Sequence, residues 1–270
     1  MLIYKYFAHR FGAMHSLFLP ESESPNFIRI LFTRYNHLMG KKLVLSTLVV
    51  GSLIGGYLIY RSMHSSGVRT VQVLRWFNDP EEHADWEILQ GTRCGTAPFI
   101  LPTDGIIGYV WDDSFRPGHR HQGIDIFGGK GIGETPVIAA YEGYLTRLPE
   151  WTSSVIIRVP SDPLNPEQQI WLYYAHMADA EGNSFIVDAF PRGTHEVKIP
   201  AGTLLGYQGN YSGDPHNPTG IHLHFSIVKD NGYGSFMNEL KIGNTYDPSP
   251  YFGMELNANN NPDQIPTCDT

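Results

Sequence analysis

Twelve histidines are spread over this 270-residue chain, and three short strings hold spacings that could do chemistry. They are His121-Gln-Gly-Ile-Asp125, Tyr173-Tyr-Ala-His176 and His222-Leu-His224. His222 and His224 sit in Gly-Ile-His-Leu-His-Phe-Ser-Ile-Val, a strand-like run. Residues two apart on a strand share a face, with Cα atoms about 6.6 Å apart, so both imidazoles can reach one small volume. His121 and Asp125 would lie about 13 Å apart in a straight strand, too far to bind one ion through bonds of about 2 Å. The chain must therefore bend between them. Gly123 permits the bend, and the β-prone run Ile124–Phe127 argues against a helix at the same spacing. His176 closes Ile-Trp-Leu-Tyr-Tyr-Ala-His, another run of bulky strand-forming residues.

Each string alone is ordinary. Among twelve histidines an H-x-H arises readily by chance, and His119 and His121 form another. A lone histidine at a strand end is more often structural than catalytic. Together the strings say more. His121 and Asp125, with one of His222 and His224, offer two neutral nitrogens and a carboxylate, a donor set suited to zinc. Three protein ligands leave the fourth tetrahedral position for water, which separates catalytic from structural zinc. The remaining histidines could move protons and stabilise charge. The set spells metal-assisted hydrolysis.

Such residues must be positioned by strands. Between 96 and 252 the chain is a series of short β-prone runs separated by Gly, Pro and Asp: Ile106–Val110, Gly123–Phe127, Pro136–Ala140, Tyr144–Leu148, Ser154–Val159, Ile170–His176, Thr203–Tyr207 and His222–Val228. No long amphipathic helix and no internal repeat interrupts them. With 28 Gly, 19 Pro, 15 Tyr and 14 Phe, this texture predicts an all-β domain, a compact antiparallel sandwich or barrel-like fold. A formal charge of -8 argues against nucleic acid as a partner, since phosphate binding wants a basic face.

The N-terminal part reads differently. Leu43–Tyr60 is an uncharged apolar run bracketed by Lys41-Lys42 and Arg61. As a helix it would span about 27 Å, against a bilayer core of about 30 Å. Its length, and the lack of an A-x-A-like site after it, favour an uncleaved anchor over a cleaved signal peptide. The expectation is one transmembrane helix at 43–60, preceded by a cytoplasmic segment 1–42 and followed by a linker 61–95. The β domain that carries the three histidine strings, 96–252, and an irregular tail 253–270 complete the chain. Met39 is an alternative start that would give a conventional signal-anchor. Lys and Arg counts on the two sides differ only slightly, so orientation rests weakly on charge. Within the linker, Asp79-Pro80-Glu81-Glu82 reads as a helix start running through Trp86 and Leu89. Cys94 and Cys268 lie near the two ends of the chain beyond the anchor; either a bond between them or two free thiols fits the sequence.

From about Pro102 to Phe252 the chain resembles the lysostaphin-type peptidoglycan zinc metallopeptidases. Their H-x-x-x-D, lone His after an aromatic strand, and H-x-H before Phe occur here in the same order. Flanking strings agree: His-x-Gly-Ile-Asp-Ile over 121–126, Glu134-Thr-Pro-Val-Ile-Ala-Ala-Tyr-Glu-Gly143, Tyr-Ala-His over 174–176 and Gly-x-His-Leu-His-Phe over 220–225. The resemblance implies His121, Asp125 and His224 as ligands of one zinc ion, and His176 and His222 as the catalytic pair. It also implies peptidoglycan as substrate and a domain outside the cytoplasm. Two stretches depart from the family pattern, the longer Ala178–Pro200 and the expanded Asn210–Thr219, and both are expected to border the groove. The alternative function is a non-catalytic peptidoglycan-binding regulator of other wall hydrolases, as in relatives that have lost their ligands; the five residues present here speak against it.

Overall fold

The computed structural model describes residues 50–56, 67–113 and 118–268. The chain divides into two compact units at Gly56. Of the apolar run Leu43–Tyr60, residues 50–56 are helical, with Val50, Leu53 and Ile54 exposed. The rest of that run, the segment 1–42 and Met39 lie outside the described residues. Among the described residues no helix is long and apolar enough to cross a membrane.

The second unit is built almost wholly from antiparallel strands, as the sequence predicts. They are β1 (Ile106–Tyr109), β2 (Ile124–Phe127), β3 (Pro136–Ile138), β4 (Gly143–Thr146), β5 (Val155–Val159), β6 (Ile170–Ala175), β7 (Val197–Ile199), β8 (Leu204–Tyr207), β9 (Leu223–Lys229) and β10 (Thr245–Tyr246). The large sheet runs β1-β2-β9-β6-β5-β4-β7, with β10 also paired to β9, and β3 pairs β8 in a second, two-stranded sheet. Residues from both sheets, including Val137 and Leu205, share one core with Ile126, Leu172, Tyr174, Phe225 and Ile227.

The period-two alternation decides which side chains enter that core. On β6, Leu172 and Tyr174 point inward, while Trp171 joins Ile156 and Val228 in a cluster on the opposite face, with Tyr173 and Phe236 packed on it. On β9, Leu223, Phe225 and Ile227 enter the core, so His224 must stand on the opposite face. Register then places the site. Tyr109 is paired with Asp125, Asp125 with His224, and His224 with Ala175. These four residues form one row across β1, β2, β9 and β6, immediately before His176.

Two expectations for residues 61–95 change. The stretch read as a linker contains a helix, α1, over 67–78, whose Val73 and Trp76 are buried with Ile106 and Phe127 of the sheet. The helix expected to start at Asp79 is absent; Asp79 instead accepts a hydrogen bond from the Glu82 amide in a turn. Only a short 3-10 turn, Ala84–Trp86, follows. Pro80 marks the end of α1, because the residue before a proline is driven out of helical geometry. Beyond the short helix α2 (Ser249–Phe252) the described residues form no further strand or helix. This tail nonetheless packs Met254, Leu256 and Ala258 into the core, and Cys268 is bonded to Cys94 across 174 positions of sequence.

Candidate metal centre and its cleft

The floor of the site is set by where β2 meets β9. Gly123 leads into β2 so close to β9 that a Cβ there would fall 2.0 Å from the carbonyl oxygen of Phe225. Its φ is not positive; the residue supplies room for close approach rather than the unusual turn that the sequence suggests. With the strands this close, Asp125 and His224 stand side by side, and His224 Nδ1 lies 2.8 Å from Asp125 Oδ1.

His121 reaches the same point from the loop before β2. Its amide donates to the Asp113 carbonyl, and its own carbonyl accepts from the Asp112 amide. Its ring Nδ1 donates to the Val110 carbonyl at 3.0 Å. A carbonyl can only accept, so Nδ1 carries a proton and Nε2 turns toward the cluster, 3.1 Å from Asp125 Oδ1 and 3.1 Å from His224 Nδ1. The three side chains each offer one donor atom, all within 4.8 Å of one another. Ligand atoms about 2.0–2.1 Å from a tetrahedral ion stand about 3.3 Å apart, and the separations found here, 2.8–3.1 Å, are close to that. A backbone acceptor on the far ring nitrogen is also the usual support of a metal-binding histidine. The residues present fit a single divalent ion.

His176 and His222 flank the cluster. β6 ends at Ala175, and His176 turns out of it with φ 69, a left-handed conformation that is rare for a side chain with a Cβ and costs free energy. Its Nδ1 donates to the Tyr211 carbonyl at 2.6 Å. His222 Nδ1 donates to the Gly220 carbonyl at 2.7 Å, and its Nε2 faces Asp125 Oδ1 at 3.6 Å. The His222 ring lies between Phe127 and His176, with centroids 5.2 and 4.5 Å away. Gly209 makes this meeting possible: a Cβ there would lie 2.1 Å from the Ala178 carbonyl oxygen and 2.6 Å from that of His176, while its own carbonyl accepts from the His222 amide.

The charges follow from burial and neighbours. Burial opposes charge on Asp125, but His121 and His222 beside it, with hydrogen bonds from His121 and His224, hold its carboxyl well below the usual range. Burial also pushes His121 down, and Asp125 more than offsets this, so its ring is raised. His222 and His224 are lowered, chiefly by burial, with Asp125 opposing. Burial and then the adjacent His222 push His176 down to about 4. His176 and His222 are therefore neutral imidazoles at neutral pH, each with Nδ1 protonated and Nε2 carrying the lone pair.

All five residues line one cleft of about 590 Å³, together with Tyr109, His119, Gln122, Phe127, Tyr173, Thr219, Glu239 and Leu240. Thr219 of the expanded Asn210–Thr219 loop lines it, and Tyr211 of the same loop holds His176. The other long stretch does not border it: no residue of Ala178–Pro200 lines the cleft. That stretch packs Ile186 and Phe190 into the core and ends in β7, which pairs β4 at the far end of the large sheet. Sequence reasoning missed the carbonyls of Val110, Tyr211 and Gly220, which no side-chain pattern reveals. It also missed α1, whose Thr70, Val73 and Leu74 line the cleft.

No protein-family model matches the chain, and no curated protein matches it. Among solved structures it is similar to a chain named as the glycyl-glycine endopeptidase lytM of Ruminococcus gnavus. The identity is 23% and the TM-score 0.31, over 48% of this chain and 44% of that one. It is similar too to a mutant catalytic domain of the prophage-encoded M23 protein EnpA of Enterococcus faecalis. There the identity is 20% and the TM-score 0.34, over 57% of this chain and 98% of that one. The chain thus spans less than half the length of the first of these neighbours.

Proposed function

We propose that this chain is a zinc-dependent endopeptidase that hydrolyses peptide bonds in peptidoglycan, in stem peptides or cross-bridges. One observation carries the reading: an open three-donor set, His121, Asp125 and His224, faces two oriented histidines across the same cleft. The sequence resemblance to lysostaphin-type enzymes supplies the substrate class. When bound, zinc supplies Lewis acidity that activates water at neutral pH and polarises a carbonyl.

The chain's own residues do the rest. His121, Asp125 and His224 would hold the ion, with the Val110 carbonyl fixing the His121 ring. His176 and His222 would handle protons at Nε2, because Nδ1 of each is tied to a carbonyl. A neutral Nε2 accepts a proton from the attacking water. Once protonated, it donates to the developing oxyanion or to the leaving amine. Phe127 stacks on one face of the His222 ring.

The proposal places this domain outside the cytoplasm, held to the membrane by Leu43–Tyr60. The test of function is digestion of purified sacculi by the zinc-loaded chain, with and without chelator, followed by mass analysis. Release of fragments with new amino termini, stopped by chelator, is expected. Sacculus binding without release would favour the non-catalytic regulator.

A further inference from the structure

Helix α1 is fastened to the sheet domain by more than its apolar face. Arg69 is fully buried. Its guanidinium lies 3.3 Å from Asp113 and donates to the carbonyls of Asn261 and Gln264 at 2.5 and 3.1 Å. Gln72 donates to the Asp263 carbonyl. Val73 rests over Gly108 of β1, where any Cβ would come within 2.5 Å of its Cγ2. Strand, tail and helix are thus shaped to each other, and α1 is a fixed part of the domain surface.

The face that α1 turns to the cleft is defined by spacing. Thr70, Val73 and Leu74 lie at i, i+3 and i+4, on one side of a helix, and all three line the cleft that holds the five site residues. Thr70 Oγ1 is hydrogen-bonded to the Tyr109 hydroxyl at 2.8 Å, and Tyr109 stands in the row with Asp125 and His224. Leu74 is 55% exposed and Leu240, on the same cleft, 71%. No Lys or Arg is among the lining residues. The cleft therefore offers apolar surface beside a hydrolytic floor.

Building on the peptidase reading, we infer that α1 is a wall of the substrate cleft and that Leu74 is a specificity-determining residue. It selects a peptide carrying an aliphatic side chain next to the bond that is cut. The physical basis is removal of Leu74 and the substrate side chain from water together. A glycine at that substrate position leaves the leucine wet and forfeits the contact.

The test uses the full, zinc-loaded chain, its Leu74→Ser variant and, as control, Val71→Ser. Val71 is exposed on the same helix and does not line the cleft. The probes are a cross-linked muropeptide with alanine beside the cleaved bond and its glycine-substituted analogue. Wild type and Val71→Ser should prefer the alanine peptide by about ten-fold in kcat/KM, the size of effect one methyl group gives in an apolar pocket. Leu74→Ser should lose that preference through KM, with kcat within about two-fold, and with metal content and unfolding midpoint unchanged. A preference retained in Leu74→Ser overturns the inference and leaves the peptidase reading standing. If wild type cleaves neither peptide, the peptidase reading fails, and calorimetric binding of the same two peptides decides the wall. Alanine-selective binding lost in Leu74→Ser supports it, and equal binding overturns it.

Discussion

His176 and His222 meet ring to ring, their centroids 4.5 Å apart, and each ties its Nδ1 to a backbone carbonyl, that of Tyr211 for one and of Gly220 for the other. Neither belongs to the set of two imidazoles and one carboxylate, His121, His224 and Asp125, that could hold a metal. The two histidines of His222-Leu-His224 therefore take different places: Nδ1 of His224 is in the donor cluster, while Nε2 of His222 stands 3.6 Å from its carboxylate.

From this separation, His176→Ala and His222→Ala should keep their zinc and their fold. Each should lose wall-cleaving activity by about 10²–10⁴-fold, the usual worth of an acid–base or oxyanion group. Zinc content and fragment release measured on the same preparations check this. A variant that cleaves at close to the wild-type rate with zinc bound removes that residue from the mechanism.

The metal-free chain should lose stability on mild acidification. His176 titrates near 6.5 when unfolded and is pushed down to about 4 in the fold. Between those values the unfolded chain takes up a proton that the folded chain refuses, so stability falls as pH drops through that window. His222 and His224, also lowered, act in the same direction. His121, raised, acts oppositely, its contribution being lost as pH rises through its folded value. Urea unfolding of the metal-free chain at pH 7 and pH 4.5 should show the fall, and His176→Gln should show a smaller one. Equal falls in both would contradict this account of the ring.

Arg69 and Asp113 form a buried pair, each side chain fully enclosed. Breaking a buried ion pair by removing one partner is strongly destabilising, and the change also takes the guanidinium from the Asn261 and Gln264 carbonyls, so Arg69→Met should cost about 3–5 kcal/mol. The Asp113 carbonyl also holds the His121 amide, so the same variant should bind zinc more weakly. Urea unfolding and metal titration measure the two effects. A change within about 0.5 kcal/mol, the range of ordinary surface substitutions, would show that the pair fastens nothing.

The bond between Cys94 and Cys268 ties the irregular tail to the start of the domain. For a loop of this length the chain-entropy model gives about 5 kcal/mol as an upper figure. Denatured, unreduced protein should show no reactive thiol, and Cys268→Ser should lower the unfolding midpoint. Two reactive thiols would refute the bond.

Much of the strand layout was legible because Gly, Pro and Asp punctuate the runs and β-branched and aromatic residues fill them. The run read as Ile170–His176 starts with β6 and overshoots its end by one residue, and His222–Val228 is offset from β9 by one residue at each end. β7 was not legible: Val197 and Lys198 are both exposed and give no alternation. α1 was hidden by its charges, although Arg69, Val73 and Trp76 mark one helical face at i, i+4 and i+7. A fully buried arginine defeats that pattern, since its burial depends on Asp113 and on tail carbonyls far along the chain. The gathering of the five site residues could be anticipated from their motifs. The backbone carbonyls that orient three of their rings, and the wall made by α1, arise only from tertiary packing.

Metal content tests the central claim most directly. The claim is that His121, Asp125 and His224 form one open zinc site. Mass-spectrometric metal analysis of the purified chain, after dialysis against limiting zinc, should give one zinc per chain for wild type and for His222→Ala. His121→Ala and His224→Ala, each losing one of the three donors, should retain only a small fraction. Zinc at the wild-type level in both donor variants, with the fold intact, would contradict the site and the hydrolytic mechanism built on it.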